Sequence, residues 1–497
     1  MDFSVILDGL WTALQPVNIL WLIFGGLIGT IVGILPGLGA ATGVAVLIPL
    51  TYGMDPVSAL ILMAAIYYGA LFGGSRSSIL INTPGDGSSI AATFDGYPMT
   101  LKGQAGQAMS IAAIASLIGG IIAIFGFIFL AIPLAQFALN FGPAEFLLLY
   151  LFALSAVVTL SQGNILKGFL SMFIGLGIST IGVDLQSGVH RFTLGIPHLT
   201  DGINFIVIII GIYAIGEVLY NLIKPNSTKN ADNEKIGSKW FTKEQWKRSL
   251  GPILRSGPIG FLLGILPGSG GTISSLLAYS TEKQISKRKD EFGKGAVEGL
   301  VAPESANSAS AVGSMIPMLT MGIPGSGTTA VMLGALVMIG ITPGPLLFEN
   351  SPDMVWTLIN SMFIGNLILL IINIAMVGML VKVLKTPPNV LYPIILILSF
   401  LGVYTLGYST IDFYILLIIG LIGLLMRVLN YPVVPLILAL IVGGDMEQNF
   451  QRVMVIYESP GEVLSASPIT IVLVVLTVLS LTYPLILKWF RRKKTVS

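Results

Sequence analysis

The chain has 497 residues, of which 54% are hydrophobic and 10% charged, and its mean hydropathy is +0.89. Soluble domains carry roughly 25% charged residues, so water is not the main solvent of this protein. Its 26 basic and 24 acidic residues leave a net charge of +2, which carries no message about nucleic acid, and the lack of cysteine excludes disulfides, thiolate metal sites and cysteine nucleophiles.

Met1 to Gln15 holds no Lys or Arg and no small-residue cleavage site, so the first mature helix, not a removable signal peptide, is expected to start insertion. Apolar runs near 17–35, 56–73, 107–132, 144–161, 164–182 and 202–223 approach or exceed the roughly 20 residues that cross a bilayer core as a helix. They are almost solidly apolar rather than alternating, which excludes a barrel. Asn226 to Arg248 is the longest polar stretch, too charged to enter lipid. Beyond it, candidates fall near 252–266, 299–318, 328–341, 354–381, 390–406, 411–426, 432–443 and 468–487, several short enough to be half-helices or hairpin arms.

Gly33-Ile34-Leu35-Pro36-Gly37-Leu38-Gly39 recurs as Gly264-Ile265-Leu266-Pro267-Gly268-Ser269-Gly270, an offset of 231 residues (264 − 33). Thr83-Pro84-Gly85-Asp86-Gly87-Ser88-Ser89 is echoed by Ile323-Pro324-Gly325-Ser326-Gly327-Thr328-Thr329, an offset of 240 (324 − 84). A lone Pro-Gly pair is commonly a kink or packing notch in membrane helices. Two matching pairs in matching order point instead to a two-repeat transporter plan with breaks in corresponding helices.

The expected fold is therefore an all-α polytopic membrane protein of two inverted-topology repeats with discontinuous helices or re-entrant hairpins, roughly 10–14 membrane segments in all. Residues 1–224 form the first repeat, 225–250 a cytoplasmic linker, 251–487 the second repeat and 488–497 a basic cytoplasmic tail. Lys and Arg cluster in the linker, in Lys283 to Lys294 and in Lys488 to Lys494, which the positive-inside rule places in the cytoplasm. The second hairpin then enters from the cytoplasm and the first, whose flank Thr51 to Asp55 has no basic residue, from outside.

The broken stretches carry small polar residues. Glycines let a ligand approach the backbone, and helices starting after such loops aim free N–H groups at an anion. Carbonyls and Asn or Ser oxygens at the ends of the preceding helices suit sodium. The structural alternative for Ser and Thr is interhelical packing. Arg76, Asp86, Glu298 and Glu304 are ionisable at membrane depth. Arg76 matches a carboxylate bidentately, unless it snorkels or pairs with Asp86 or Asp95. His190 and His198 lie in the polar loop Ser187 to Asp201 without metal-ligand spacing and read as surface or packing residues. The Gly-Lys-Ser/Thr ending of a phosphate loop is absent, so energy comes from a gradient or another subunit.

The motifs GILPGLGAATGVAVLIPLTYGMDP, AIYYGALFGGSRSSILINTPGDGSSIAATFDGYPM, GILPGSGGTISSLLAYSTEKQ and APESANSASAVGSMIPMLTMGIPGSGTTAVMLGAL resemble the large permease subunit of the tripartite tricarboxylate transporters, the TctA type. The resemblance runs from about Leu20 to about Tyr457. It implies a sodium- or proton-coupled carboxylate permease with no other cofactor, in a bacterial inner membrane. Its partners would be a small TctB-type membrane subunit and an extracytoplasmic TctC-type solute-binding protein. Carried onto this chain, it places the substrate path at Gly37, Gly39, Ser75, Arg76, Ser77, Asn82, Thr83, Pro84, Gly85, Gly87, Ser88, Asn307, Pro324, Gly325, Ser326, Gly327 and Thr328. Asn82, Asp86, Ser305 and Asn307 are the candidate sodium ligands. Arg76 stands where the resemblance implies a small hydroxyl residue. The competing readings are a passive channel, separable by gradient-independent flux, and an intramembrane enzyme, which would need paired aspartates or a Ser-His dyad at depth.

Overall fold

The computed structural model describes residues 3–35, 38–160, 164–184, 188–224, 238, 240–268, 270–375 and 388–494. Helices dominate them, and the strands are confined to a two-residue antiparallel pair in the 182–191 hairpin. In chain order the first group is α1 (Phe3–Ala13), α2 (Pro16–Ile34), α3 (Gly39–Leu47), α4 (Pro56–Ile81), α5 (Ile90–Leu101), α6 (Ala105–Ala138), α7 (Pro143–Leu160), α8 (Ile165–Ser179) and α9 (Phe205–Ile223). The second is α10 (Lys243–Ile265), α11 (Gly270–Ile285), α12 (Val297–Met321), α13 (Gly327–Met338), α14 (Pro352–Ala375), α15 (Pro388–Gly407), α16 (Ile411–Val428), α17 (Val433–Ile456) and α18 (Pro468–Lys494).

Among the described residues eight helices are long and apolar enough to cross a bilayer. Large apolar side chains stand exposed along the outer helices, for example Phe129 at 71%, Ile418 at 59% and Leu479 at 54%. A patch of that extent is stable only against lipid or a partner, which agrees with a multi-pass membrane protein.

The candidate spans omit α1, α3 and α5, as well as α11, the second arm of the second hairpin, and misjudge several ends. α1 is too short to register as a span, α3 follows a Pro-Gly break, and α5 carries Asp95 and Pro98. α10 starts at Lys243, inside the stretch read as linker, because Thr242 and Gln245 close a reciprocal capping box there. α17 continues to Ile456, well past the apolar run that ended near 443. Most of the linker, residues 225–237 and 239, lies outside the described residues.

The innermost helices, α4 and α12, are buried along nearly their whole length. α2 lies on α4, and α10 lies on α12. In membranes helices gain little from hydrophobic burial against each other, so close backbone packing through small residues drives their association. Gly25, Gly29 and Gly33 form one such stripe on α2, and Ser256, Gly260 and Gly264 form its counterpart on α10. A Cβ on Gly29 would sit 2.3 Å from the Ile66 carbonyl oxygen, and one on Gly260 would sit 2.1 Å from that of Ala306. For Gly33 and Ala70 the distance is 2.0 Å, for Gly264 and Ser310 2.3 Å. The two helix pairs repeat each other contact for contact at the offsets of the sequence motifs.

Asp95 on α5 ties down the basic loop before α12. It is fully buried, and its Oδ1 accepts the backbone N–H groups of Gly293, Gly295 and Ala296 at 2.7–2.9 Å while Oδ2 accepts the Tyr279 hydroxyl. Arg248 clamps the same loop between Glu291 and Glu298, and that guanidinium holds the Glu291 carboxyl below its ordinary range. Asp95→Ala orphans several buried donors at once and should cost about 2–4 kcal/mol. Faster protease cutting within 286–296 in the variant checks it; an unchanged rate would show the loop is held elsewhere.

Candidate functional site

Both Gly-Pro breaks are built the same way. α2 ends at Ile34 with Leu35 extended (ψ 119), and α3 restarts at Gly39 with φ +42. α10 ends at Ile265 with Leu266 extended (ψ 126), and α11 restarts at Gly270 with φ +50. Positive φ is the reason for glycine at these two restarts. Pro36, Gly37 and Ser269 lie outside the described residues.

The second pair of breaks matches as well. α4 closes on Asn82 in the left-handed region (φ 55), α12 on Gly322 (φ 70). Each is followed by a capping box. Asp86 and Ser89 cap the turn Gly87–Ser89 that leads into α5, and Ser326 and Thr329 cap α13. Gly85 and Gly325 sit so close to the Gly33 and Gly264 carbonyls that a Cβ would approach to 2.2 and 2.6 Å.

All four restarts open on one cavity of about 620 Å³. Its walls include Gly39 to Thr42 at the start of α3, Pro84 to Ser88, Gly268 and Gly270 to Ile273 at the start of α11, and Ser326 to Thr328 at the start of α13. The first N–H groups of a helix have no partner within it and carry the positive end of its dipole. The Asp86 carboxylate already accepts the N–H groups of Ser88 and Ser89 and that of Ala40 at the start of α3, so the starts of α11 and α13 are the ends left to favour an incoming anion. Tyr67, Tyr213, Glu217 and Arg427 complete the polar lining.

The halves meet at this cavity. A Cβ on Gly87 would lie 2.6 Å from Thr272 Oγ1, and one on Gly271 2.3 Å from Asn307 Oδ1 and 2.7 Å from Ser88 Cβ. The Tyr67 hydroxyl stands 3.4 Å from Ser326 Oγ. Asn307 Oδ1 is buried and has no hydrogen-bond partner.

Of the residues singled out in the sequence, Gly39, Pro84, Gly85, Asp86, Gly87, Ser88, Ser326, Gly327 and Thr328 line the cavity. Asn307 abuts its rim through Gly271. Pro324 and Gly325 are buried behind it. Asn82 is exposed and caps α4, and the Thr83 hydroxyl donates to the Ile81 carbonyl. The Ser77 hydroxyl turns back to the Gly74 carbonyl, and the Ser305 hydroxyl donates across to the Ile253 carbonyl on α10.

Ser75 and Arg76 belong to a separate buried cluster. Glu304 Oε2 accepts from Ser75 Oγ at 2.8 Å and Ser116 Oγ at 3.0 Å, while Arg76 Nε donates to Asn373 Oδ1 at 3.3 Å. Arg76 is 1% exposed, so it neither snorkels nor pairs with Asp95, which is committed to the 293–296 loop. Likewise His198 has a carboxylate partner that sequence spacing hides, Asp412 at 2.9 Å.

The sequence reading missed Thr42, Tyr67, Tyr213, Thr272, Glu217 and Arg427. Glu217 was the one with a signal, an acid inside the apolar run 202–223. Arg427 ends α16 and passes for an interfacial anchor.

Paired broken helices that open onto one shared polar cavity in a multi-pass helical protein define a transport permease. The chain belongs to the tripartite tricarboxylate transporter TctA family, whose model matches residues 19–438. It is 40% identical over 461 residues to an uncharacterized 52.8 kDa protein in the TAR-I ttuC' 3' region of Agrobacterium vitis, covering 93% of this chain and 92% of that one. A second protein of that organism, from the TAR-II ttuC' 3' region, is 40% identical over 210 residues, 42% of this chain and 87% of its own. No solved structure matches the chain.

Proposed function

We propose that this chain is the large permease subunit of a sodium-coupled transporter that takes up small carboxylates across a bacterial inner membrane. A TctC-type binding protein delivers the substrate, and a TctB-type small membrane subunit completes the assembly. The observation that carries the reading is the convergence of four helix starts, two from each half, on one cavity.

In this reading the carboxylate binds to the N–H groups at the starts of α11 and α13, assisted by the Thr272 and Thr328 hydroxyls. Sodium is favoured over the proton because Asn307 Oδ1 is a buried acceptor without a donor, beside glycine-rich backbone whose carbonyls suit a hard cation. The basic segments lie in the cytoplasm and the repeats are inverted, so each hairpin tip faces the shared space from its own side.

The test is uptake of labelled propionate, succinate and citrate into proteoliposomes holding the permease with its two partner subunits. An inward sodium gradient should accelerate accumulation, and replacing sodium by potassium should remove it. Equal flux with and without the gradient would make the cavity a channel, and a requirement for a proton gradient alone would reassign the coupling ion.

A further inference from the structure

Glu217 and Arg427 lie outside both duplicated motifs, and the transport reading above gives them no role. They form the one wall of the cavity that comes from α9 and α16. Arg427 Nη1 donates to Glu217 Oε2 at 2.6 Å, and Asn221 Nδ2 donates to Glu217 Oε1 at 2.9 Å. Two buried donors on this wall have no partner, Arg427 Nε and the Tyr213 hydroxyl, and Tyr213 is 8% exposed. Buried donors are nearly always satisfied, and an exception calls for a ligand or water.

The backbone adds an independent sign. Tyr213 sits in a π-helical turn, Gly211–Ile215, in the middle of α9, and such turns concentrate at functional positions. The turn is held by close packing of Gly211 on Ile419 and of Gly216 on Gly423. It sets the Tyr213 hydroxyl 2.9 Å from where a Cβ on Gly327 would be, so this wall adjoins the start of α13.

We propose that Arg427 and Tyr213 form a second carboxylate subsite in the cavity, and that Glu217 is an internal carboxylate holding Arg427 until a substrate carboxylate replaces it. The inference rests on the carboxylate reading above and deepens it. One carboxylate binds at the helix starts, and the Tyr213 hydroxyl, which adjoins the start of α13, is left to donate to the second. A second carboxylate on the same molecule reaches the guanidinium, whose planar fork donates to two carboxylate oxygens. Glu217 keeps its Asn221 partner when the exchange occurs. A monocarboxylate anchored at the helix starts has nothing left to offer Arg427, so the cavity sorts ligands by their number of carboxylates.

The experiment measures binding to the purified full chain in detergent at fixed sodium, with propionate, succinate and tricarballylate as one-, two- and three-carboxylate probes. Succinate or tricarballylate should bind wild type at least about tenfold more tightly than propionate, the scale of one charge-assisted contact. In Arg427→Gln that ratio should fall toward one. Glu217→Gln is the second variant. Removing the competitor should enlarge thermal stabilisation by succinate relative to propionate, whereas a purely structural ion pair would lower the starting melting point and leave the ratio alone.

Propionate binding wild type as tightly as succinate overturns the subsite and leaves the carboxylate cavity standing. So does an unchanged ratio in either variant. Wild type that binds none of the three overturns the carboxylate reading itself.

Discussion

Gly33→Ala is expected to abolish transport and to lower the stability of the purified protein by about 1–3 kcal/mol, the cost of overpacking a fitted contact. The added methyl would stand 2.0 Å from the Ala70 carbonyl oxygen and 2.6 Å from two further Ala70 backbone atoms. Backbone cannot rotate away as a side chain can, so α2 must separate from α4 by an ångström or more. That moves the first hairpin and, through Gly85 against the Gly33 carbonyl, the loop that lines the cavity. Gly264→Ala should do the same in the second half, where the Ser310 oxygen is 2.3 Å away. Gly177→Ala is the control, because nothing lies within 4 Å of its Cβ position, and alanine there should be neutral or stabilising. Thermal unfolding in detergent with uptake in vesicles tests all three; wild-type values for Gly33→Ala would show that the glycine seam is not what fixes the hairpin.

Asn307→Ala is expected to remove the sodium dependence of both stability and uptake, with transport at limiting sodium reduced by tenfold or more, the equivalent of about 1.4 kcal/mol of ion binding. The side-chain oxygen is a buried acceptor without a donor, at the tip contact between Gly271 and Ser88. Removing an unsatisfied acceptor should otherwise be harmless to folding, so the melting point without sodium should hold or rise. Asn82→Gly is the informative comparison. It keeps the left-handed backbone of the α4 cap while deleting the side chain, which is exposed and outside the cavity lining. Uptake should survive. If Asn82→Gly abolishes sodium dependence and Asn307→Ala does not, the ion belongs at the α4 cap.

Much of this was legible in the residues. The all-α membrane class follows from apolar runs that no soluble or barrel fold accommodates. The duplication was readable because two seven-residue motifs recur in order, and the repeated Gly29/Ile66 and Gly260/Ala306 contacts give it a spatial meaning. The convergence of loops from both halves on one space agrees with the hairpin reading.

What stayed hidden has a common cause. Arg76 drew notice as a guanidinium at depth, yet its surroundings come from Ser116, Glu304 and Asn373 on three other helices, and no spacing rule brings those together. Arg427 drew no notice because its partner Glu217 is far away in the chain. Tyr213 could not be found because a π-turn leaves no mark in an unbroken row of Ile and Val. Asn82 looked like a ligand for the chemistry of its side chain, but its place in the fold is explained by the tolerance of its backbone for positive φ.

The matching capping turns differ in charge. Where the second half has the Ser326 hydroxyl, the first has the Asp86 carboxylate, which accepts from Ser88 and Ser89. Two halves with nearly the same backbone are thereby made electrically unlike at corresponding points. Asp86 puts an acid on the first half's side of the shared cavity where the second half presents a hydroxyl, so an anion entering that space is steered toward the α11 and α13 side.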